Sequence, residues 1–173
     1  MIIANYMAYY TDLQQVWLVV SPHNPLKPAH TLANDYDRLH MAQLAIGDNV
    51  RLRTSNIEFS LPKPSYTIDT LTYLREKNPE HEFILIMGGD NLATLMKWKN
   101  YEKILELYQI YLYKRPRYED GPFADHPHVI HFDVPLLDLS STYIRECIRK
   151  GFNIQYLVPE PVYEYLRGSN MFK

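Results

Sequence analysis

The chain has 173 residues, of which 46% are hydrophobic and 22% charged, with a formal net charge of -2. These proportions are those of a soluble globular domain with a substantial core, and they exclude broad nucleic-acid binding, which requires a basic face. A single cysteine, Cys147, excludes an internal disulfide framework and points to a reducing cytoplasm, and no apolar run reaches the 18 residues of a membrane span.

In chain order, the first pattern is helical, from Ile2 to Tyr10. Gln15 to Val20 reads as a buried strand, Asn34 to Ile46 as a helix, and Asn49 to Thr54 as an alternating strand. Thr67 to Lys77 is a helix carrying Ile68, Leu71 and Leu74, followed by the buried strand Phe83 to Met87. Tyr101 to Leu107 reads as a helix, and Gln109 to Tyr113 and His128 to Val134 as strands. A helix from Thr142 to Lys150 stops at Gly151, where a left-handed residue suits a C-terminus. Pro161 to Arg167 is a last helix, with proline in its first turn and Gly168 after its end.

Strands and helices alternating at this spacing predict an α/β fold: a doubly wound, Rossmann-like, mostly parallel sheet in a single domain over 1–173. Such sheets bind ligands beyond the carboxyl ends of their strands. That rule selects three loops: Ser21 to Pro28, Gly88 to Asn91, and Asp138 to Thr142. The opening is unusual, because no strand precedes Ile2 and none of the six glycines belongs to a Gly-rich phosphate loop. A first strand and its turn are therefore expected upstream.

The segment Leu137-Asp138-Leu139-Ser140-Ser141-Thr142-Tyr143-Ile144-Arg145 carries the strongest chemical signal. Hydroxyl residues at a helix start satisfy orphan amides, and the same amides with the helix dipole attract phosphate. Arg145 falls three residues after Thr142 and four after Ser141, on the same helical face, and its guanidinium grips phosphate as a fork. Simple capping beside a surface arginine accounts for the pattern equally well.

Other segments have the same two readings. Gly88-Gly89-Asp90 lets a backbone approach a ligand and offers a carboxylate to a ribose, or is a tight turn with Asp90 as helix cap. Trp98, between Lys97 and Lys99, either stacks on a ligand ring or packs half-buried. Pro64-Ser65-Tyr66-Thr67-Ile68-Asp69-Thr70 opens a helix with hydroxyls and an acid. In the loop Ser21-Pro22-His23-Asn24-Pro25-Leu26-Lys27, Lys27 or His23 either faces a polyphosphate or is simply exposed; Arg115 repeats that logic at a later strand end. His126, His128 and His131 cluster near Asp125 and Asp133, but in no zinc-binding spacing, and no protein-held metal is expected. Cys147 reads as a small core residue.

Taken together these pieces resemble the nicotinate-nucleotide adenylyltransferase family of the nucleotidyltransferases. SPHNPLK, Asp37-Arg38-Leu39-His40-Met41, PSYTIDTL, IMGGDNL, Lys97-Trp98, Tyr113-Lys114-Arg115-Pro116, LSSTYIR and the tail from Leu157 to Leu166 run in the family's order over nearly the whole chain. The resemblance implies adenylyl transfer from ATP to nicotinate mononucleotide, giving deamido-NAD and pyrophosphate, with Mg²⁺ carried on the ATP phosphates. It implies that Ser140, Ser141, Thr142 and Arg145 hold ATP phosphates, that Ile144 lies near adenine, and that Gly88, Gly89 and Asp90 meet the nucleotide sugars, Gly88 and Asp90 on the ATP side and Gly89 on the nicotinate side. Tyr66, Thr67, Trp98 and Arg115 would receive the nicotinate nucleotide, and Lys27 would join Arg145 in neutralising phosphate during catalysis. The family's G-x-F-x-P-x-H-x-G-H turn is not in this sequence, which places the expected start upstream by ~18 residues, a strand plus its turn. An alternative is a non-catalytic nucleotide-binding module of the same fold. The partners implied are small molecules, with neither nucleic acid nor membrane, and a homo-oligomer stays open.

Overall fold

The computed structural model describes residues 1–22, 33–114, 121–135 and 137–172. In chain order the elements are α1 (Ile2–Tyr10), β1 (Val16–Val19), α2 (Asp35–Ile46), β2 (Leu52–Ser55), α3 (Thr67–Lys77), β3 (Leu85–Gly88), α4 (Gly89–Leu92), α5 (Tyr101–Leu107), β4 (Ile110–Tyr113), β5 (Val129–Phe132), α6 (Ser141–Arg149) and α7 (Glu160–Arg167), with 3₁₀ turns at Ile57–Ser60 and Leu95–Lys97. They divide between two compact units, one holding α1, β1, α2, β2, α6 and α7, the other α3, β3, α4, α5, β4 and β5.

In the first unit β1 and β2 pair in parallel, with Val16 opposite Leu52 and Val19 opposite Ser55. The helix α1 packs on both strands and buries Met7 and Ala8 completely. The helices α6 and α7 close around Cys147, Ile154, Val162 and Leu166, against Met41, Leu44 and Ala45 of α2. Cys147 is thus core, as its apolar neighbours imply. The Tyr165 hydroxyl of α7 donates to Asp37 of α2 at 3.0 Å, and that bond to a carboxylate holds the phenol above its ordinary range.

In the second unit three parallel strands run in the order β3-β4-β5, with Leu85, Ile110 and Val129 in register. The central strand β4 reads Ile-Tyr-Leu-Tyr, and its first three residues are buried because side chains cover both faces. Ile104, Ile110, Leu112, Leu92 and Leu95 lose all solvent exposure in the surrounding core. Full burial of each large aliphatic side chain contributes about 1.5–3 kcal/mol before entropy is counted.

The expected strands and helices all occur, within two residues at their ends except for β2, which starts at Leu52 rather than Asn49. Among the described residues the paired strands are parallel, in keeping with the mostly parallel sheet expected, although they form a two-stranded and a three-stranded sheet. The helix start expected at Gly88-Gly89-Asp90 is the four-residue α4, while the two 3₁₀ turns were not foreseen, being too short to show a periodicity. Gly151 does sit in the left-handed region, at φ +71°, just beyond α6.

Candidate functional site

The first group of candidate residues lies at the start of α6, in the first unit. Ser140 is the N-cap, and its Oγ accepts from the Tyr143 amide at 3.1 Å. The first amide bonded within the helix is that of Ile144, to the Ser140 carbonyl, so the amides of Ser141 and Thr142 precede the helical ladder. No acid occupies the first turn, and the positive end of the dipole has no carboxylate from its own helix start. Arg145 Nη2 donates to Thr142 Oγ1 at 3.2 Å, which places the guanidinium beside the exposed hydroxyls, as the spacing predicts. Ile144 is partly buried against the α2–α7 core. The neighbouring Cys147 thiol holds the Tyr143 phenol above its ordinary range.

The second group follows β3 in the other unit. Gly88 is the last strand residue and Gly89 opens α4; both are buried. A side chain at Gly88 has no room: a Cβ there would lie 2.7 Å from Asp90 Oδ1 and 3.1 Å from the Tyr113 ring. Asp90 thus folds back towards the end of β3. It does not cap α4, since Gly88 occupies the N-cap position and no side chain bonds there. The carboxylate and the Tyr113 ring share the carboxyl end of the β3–β4 pair, where parallel sheets offer ligand sites. The position of Tyr113 escaped the sequence because it depends on strand register.

The third group surrounds the start of α3, also in the second unit. Tyr66 is its N-cap without a side-chain cap bond, and Thr67 its first residue. The rings of Tyr66 and Trp98 rest against the core around Ile68, Leu71 and Leu95. Trp98 Nε1 and Ser65 Oγ are buried without a hydrogen-bond partner among the described residues. An unsatisfied buried donor costs about 1–3 kcal/mol, so such groups call for a ligand or water. Lys99 Nζ contacts both carboxylate oxygens of Asp69, at 2.8 and 3.1 Å, and stands 4.7 Å from the centre of the Tyr66 ring. Nothing in the local sequence pattern signals this clamp, whose partners are 30 residues apart.

His23, Lys27 and Arg115 lie outside the described residues. The three clustered histidines bond to nearby groups: His128 Nδ1 to the Leu105 carbonyl at 2.7 Å, His131 Nε2 to the Ala124 carbonyl at 2.8 Å, and His126 Nδ1 to the His128 amide at 3.2 Å. Among the described residues no helix is long and apolar enough to cross a membrane.

The cytidylyltransferase-like family matches residues 1–147. A protein of Flavobacterium johnsoniae with the name "Probable nicotinate-nucleotide adenylyltransferase" is 51% identical over 177 aligned positions, spanning 100% of this chain and 91% of that protein. A protein of Flavobacterium psychrophilum with the same name is 50% identical, again over 100% of this chain and 91% of its own length. Among solved structures, the nicotinic acid mononucleotide adenylyltransferase of Plasmodium falciparum complexed with NaAD superposes with a TM-score of 0.82 at 17% identity, covering 98% of this chain and 88% of that one. That likeness confirms the nucleotidyltransferase fold, and the full-length identities decide the family within it. On these grounds the chain belongs to the nicotinate-nucleotide adenylyltransferase family, within the cytidylyltransferase-like proteins.

Proposed function

We propose that this protein transfers the adenylyl group of ATP to nicotinate mononucleotide, forming deamido-NAD and pyrophosphate in NAD synthesis. The observation that carries this reading is the start of α6. There, in a chain whose relatives bear that enzyme's name, Arg145 and Thr142 stand hydrogen-bonded beside amides that precede the helical ladder. Both compact units belong to one nucleotidyltransferase domain in this reading, since the family match runs through both.

A phosphate oxygen of the mononucleotide attacks the α-phosphorus of ATP. The bond from that phosphorus to the bridging oxygen breaks, and pyrophosphate leaves with the electron pair. The protein supplies position and charge rather than a covalent intermediate. Ser140, Ser141, Thr142 and Arg145 hold the triphosphate, with Ile144 towards adenine and Lys27 as a further cation. The hydroxyls and guanidinium at α6 suit phosphate oxygens rather than a metal, so a Mg²⁺ ion would be held by the triphosphate of ATP and would supply further neutralisation of phosphate charge. Gly88 and Asp90 meet the ATP sugar and Gly89 the nicotinate nucleotide; Tyr66, Thr67, Trp98 and Arg115 receive the pyridine. The orphan donor Trp98 Nε1 supports a polar ligand group at that corner. We place the reaction in the cytoplasm, in keeping with a single cysteine and no disulfide framework.

The test is pyrophosphate release by the full-length protein given MgATP with nicotinate mononucleotide. Release that requires both substrates and yields deamido-NAD supports the proposal. Tight nucleotide binding without release would instead support a binding module.

A further inference from the structure

Asp69 stands in the first turn of α3, beside the corner assigned to the pyridine ring. A carboxylate there complements the helix dipole but also repels an incoming anion. Nicotinate carries such an anion on its ring, whereas nicotinamide does not. Lys99 lies on Asp69 through both oxygens while covering the Tyr66 ring, and its neighbour Trp98 brings a buried indole N–H that has no partner among the described residues. Lys99 and Asp69 are each almost half exposed, so the pair adds little to stability. Its effect on the local field is larger than its effect on folding, because it cancels a negative charge next to a ring site.

Building on the pyridine-nucleotide reading above, we infer that Lys99 is a specificity-determining residue, acting through Asp69 to let the acid form of the pyridine nucleotide compete with the amide form. Lys99 need not touch the substrate. It neutralises the one carboxylate in the first turn of α3, and the helix start then accepts a ring carboxylate.

The experiment compares kcat/KM for nicotinate mononucleotide and nicotinamide mononucleotide in three full-length proteins: wild type, Lys99→Met, and the double variant Asp69→Asn/Lys99→Met. The ratio of acid to amide should fall about fivefold in Lys99→Met, the scale of one partly exposed charge pair, through a higher KM for the acid form. The KM for ATP should stay unchanged. The double variant should recover the wild-type ratio, because the repelling charge has gone with its partner. A ratio indifferent to Lys99→Met overturns the inference. So does a fall that the double variant fails to reverse, since Lys99 would then act on the substrate directly. A wild-type protein inactive with both nucleotides defeats the activity reading instead. Equilibrium binding of the two mononucleotides by calorimetry, on the same three proteins, then judges Lys99 by the same ratio.

Discussion

Two helices of the first unit begin with the same kind of cap and differ in what they leave over. At α2, Asn34 Oδ1 accepts from the Tyr36 amide at 2.9 Å, and Asp35 and Asp37 fill the first turn. Asp35 pairs with Arg38 at 2.6 Å and Asp37 accepts the Tyr165 hydroxyl, so this helix start is neutralised by its own protein. At α6, Ser140 provides the equivalent cap, but no acid follows and Arg145 adds a cation. The positive field is consumed at α2 and left available at α6. A capped helix start alone is therefore no evidence for a phosphate site; both starts carry an arginine, and the absence at α6 of the first-turn acids that hold Arg38 at α2 is what distinguishes this one.

The contrast can be broken in several ways. Arg145→Ala should cause the largest loss, about 10²-fold or more in kcat/KM, as when one donor to developing transition-state charge is removed. Its melting temperature should barely move, since the side-chain bond Arg145 makes among the described residues is to exposed Thr142. Unchanged turnover in that variant would remove Arg145 from the machinery. Trp98→Ala should raise the KM for the pyridine nucleotide about tenfold, the scale of losing one stacked ring, and leave the KM for ATP alone. Equal losses for both substrates would refute the separate pyridine corner. The smallest pair sharpens the comparison itself. Asn34→Ala and Ser140→Ala should each cost about 1 kcal/mol in denaturant unfolding, as lost caps do. Only Ser140→Ala should also weaken ATP, by a few-fold. Equal effects on ATP would mean that both act through general stability.

What could be read from the sequence followed the range of the interactions. Strands β3 and β4 stood out because buried parallel strands are continuous apolar runs, and Thr67–Lys77 and Tyr101–Leu107 matched to the residue. The Ser140 cap and the Arg145–Thr142 contact at α6 were legible because a hydroxyl run with arginine three residues on is a local pattern. Of the two readings the sequence allowed for Asp90, the helix cap does not occur, since the direction of the side chain depends on space at Gly88 and on the Tyr113 ring across the sheet. The Lys99–Asp69 clamp was invisible, because its members come from opposite sides of β3 in the sequence. Both failures concern contacts made only once the second unit has folded.

The most direct test gives α6 the character of α2. In Thr142→Glu, a carboxylate enters the first turn, where it complements the dipole by about 0.3–1 kcal/mol and pairs with Arg145 one turn on. The measurement is the melting temperature together with the KM for ATP. The account predicts opposite movements: a melting temperature at or above that of the wild type, and a KM for ATP raised at least about tenfold by the loss of an anion site and its cation. A protein equally stable or more so, with an unchanged KM for ATP, would contradict the assignment of the α6 start to the triphosphate.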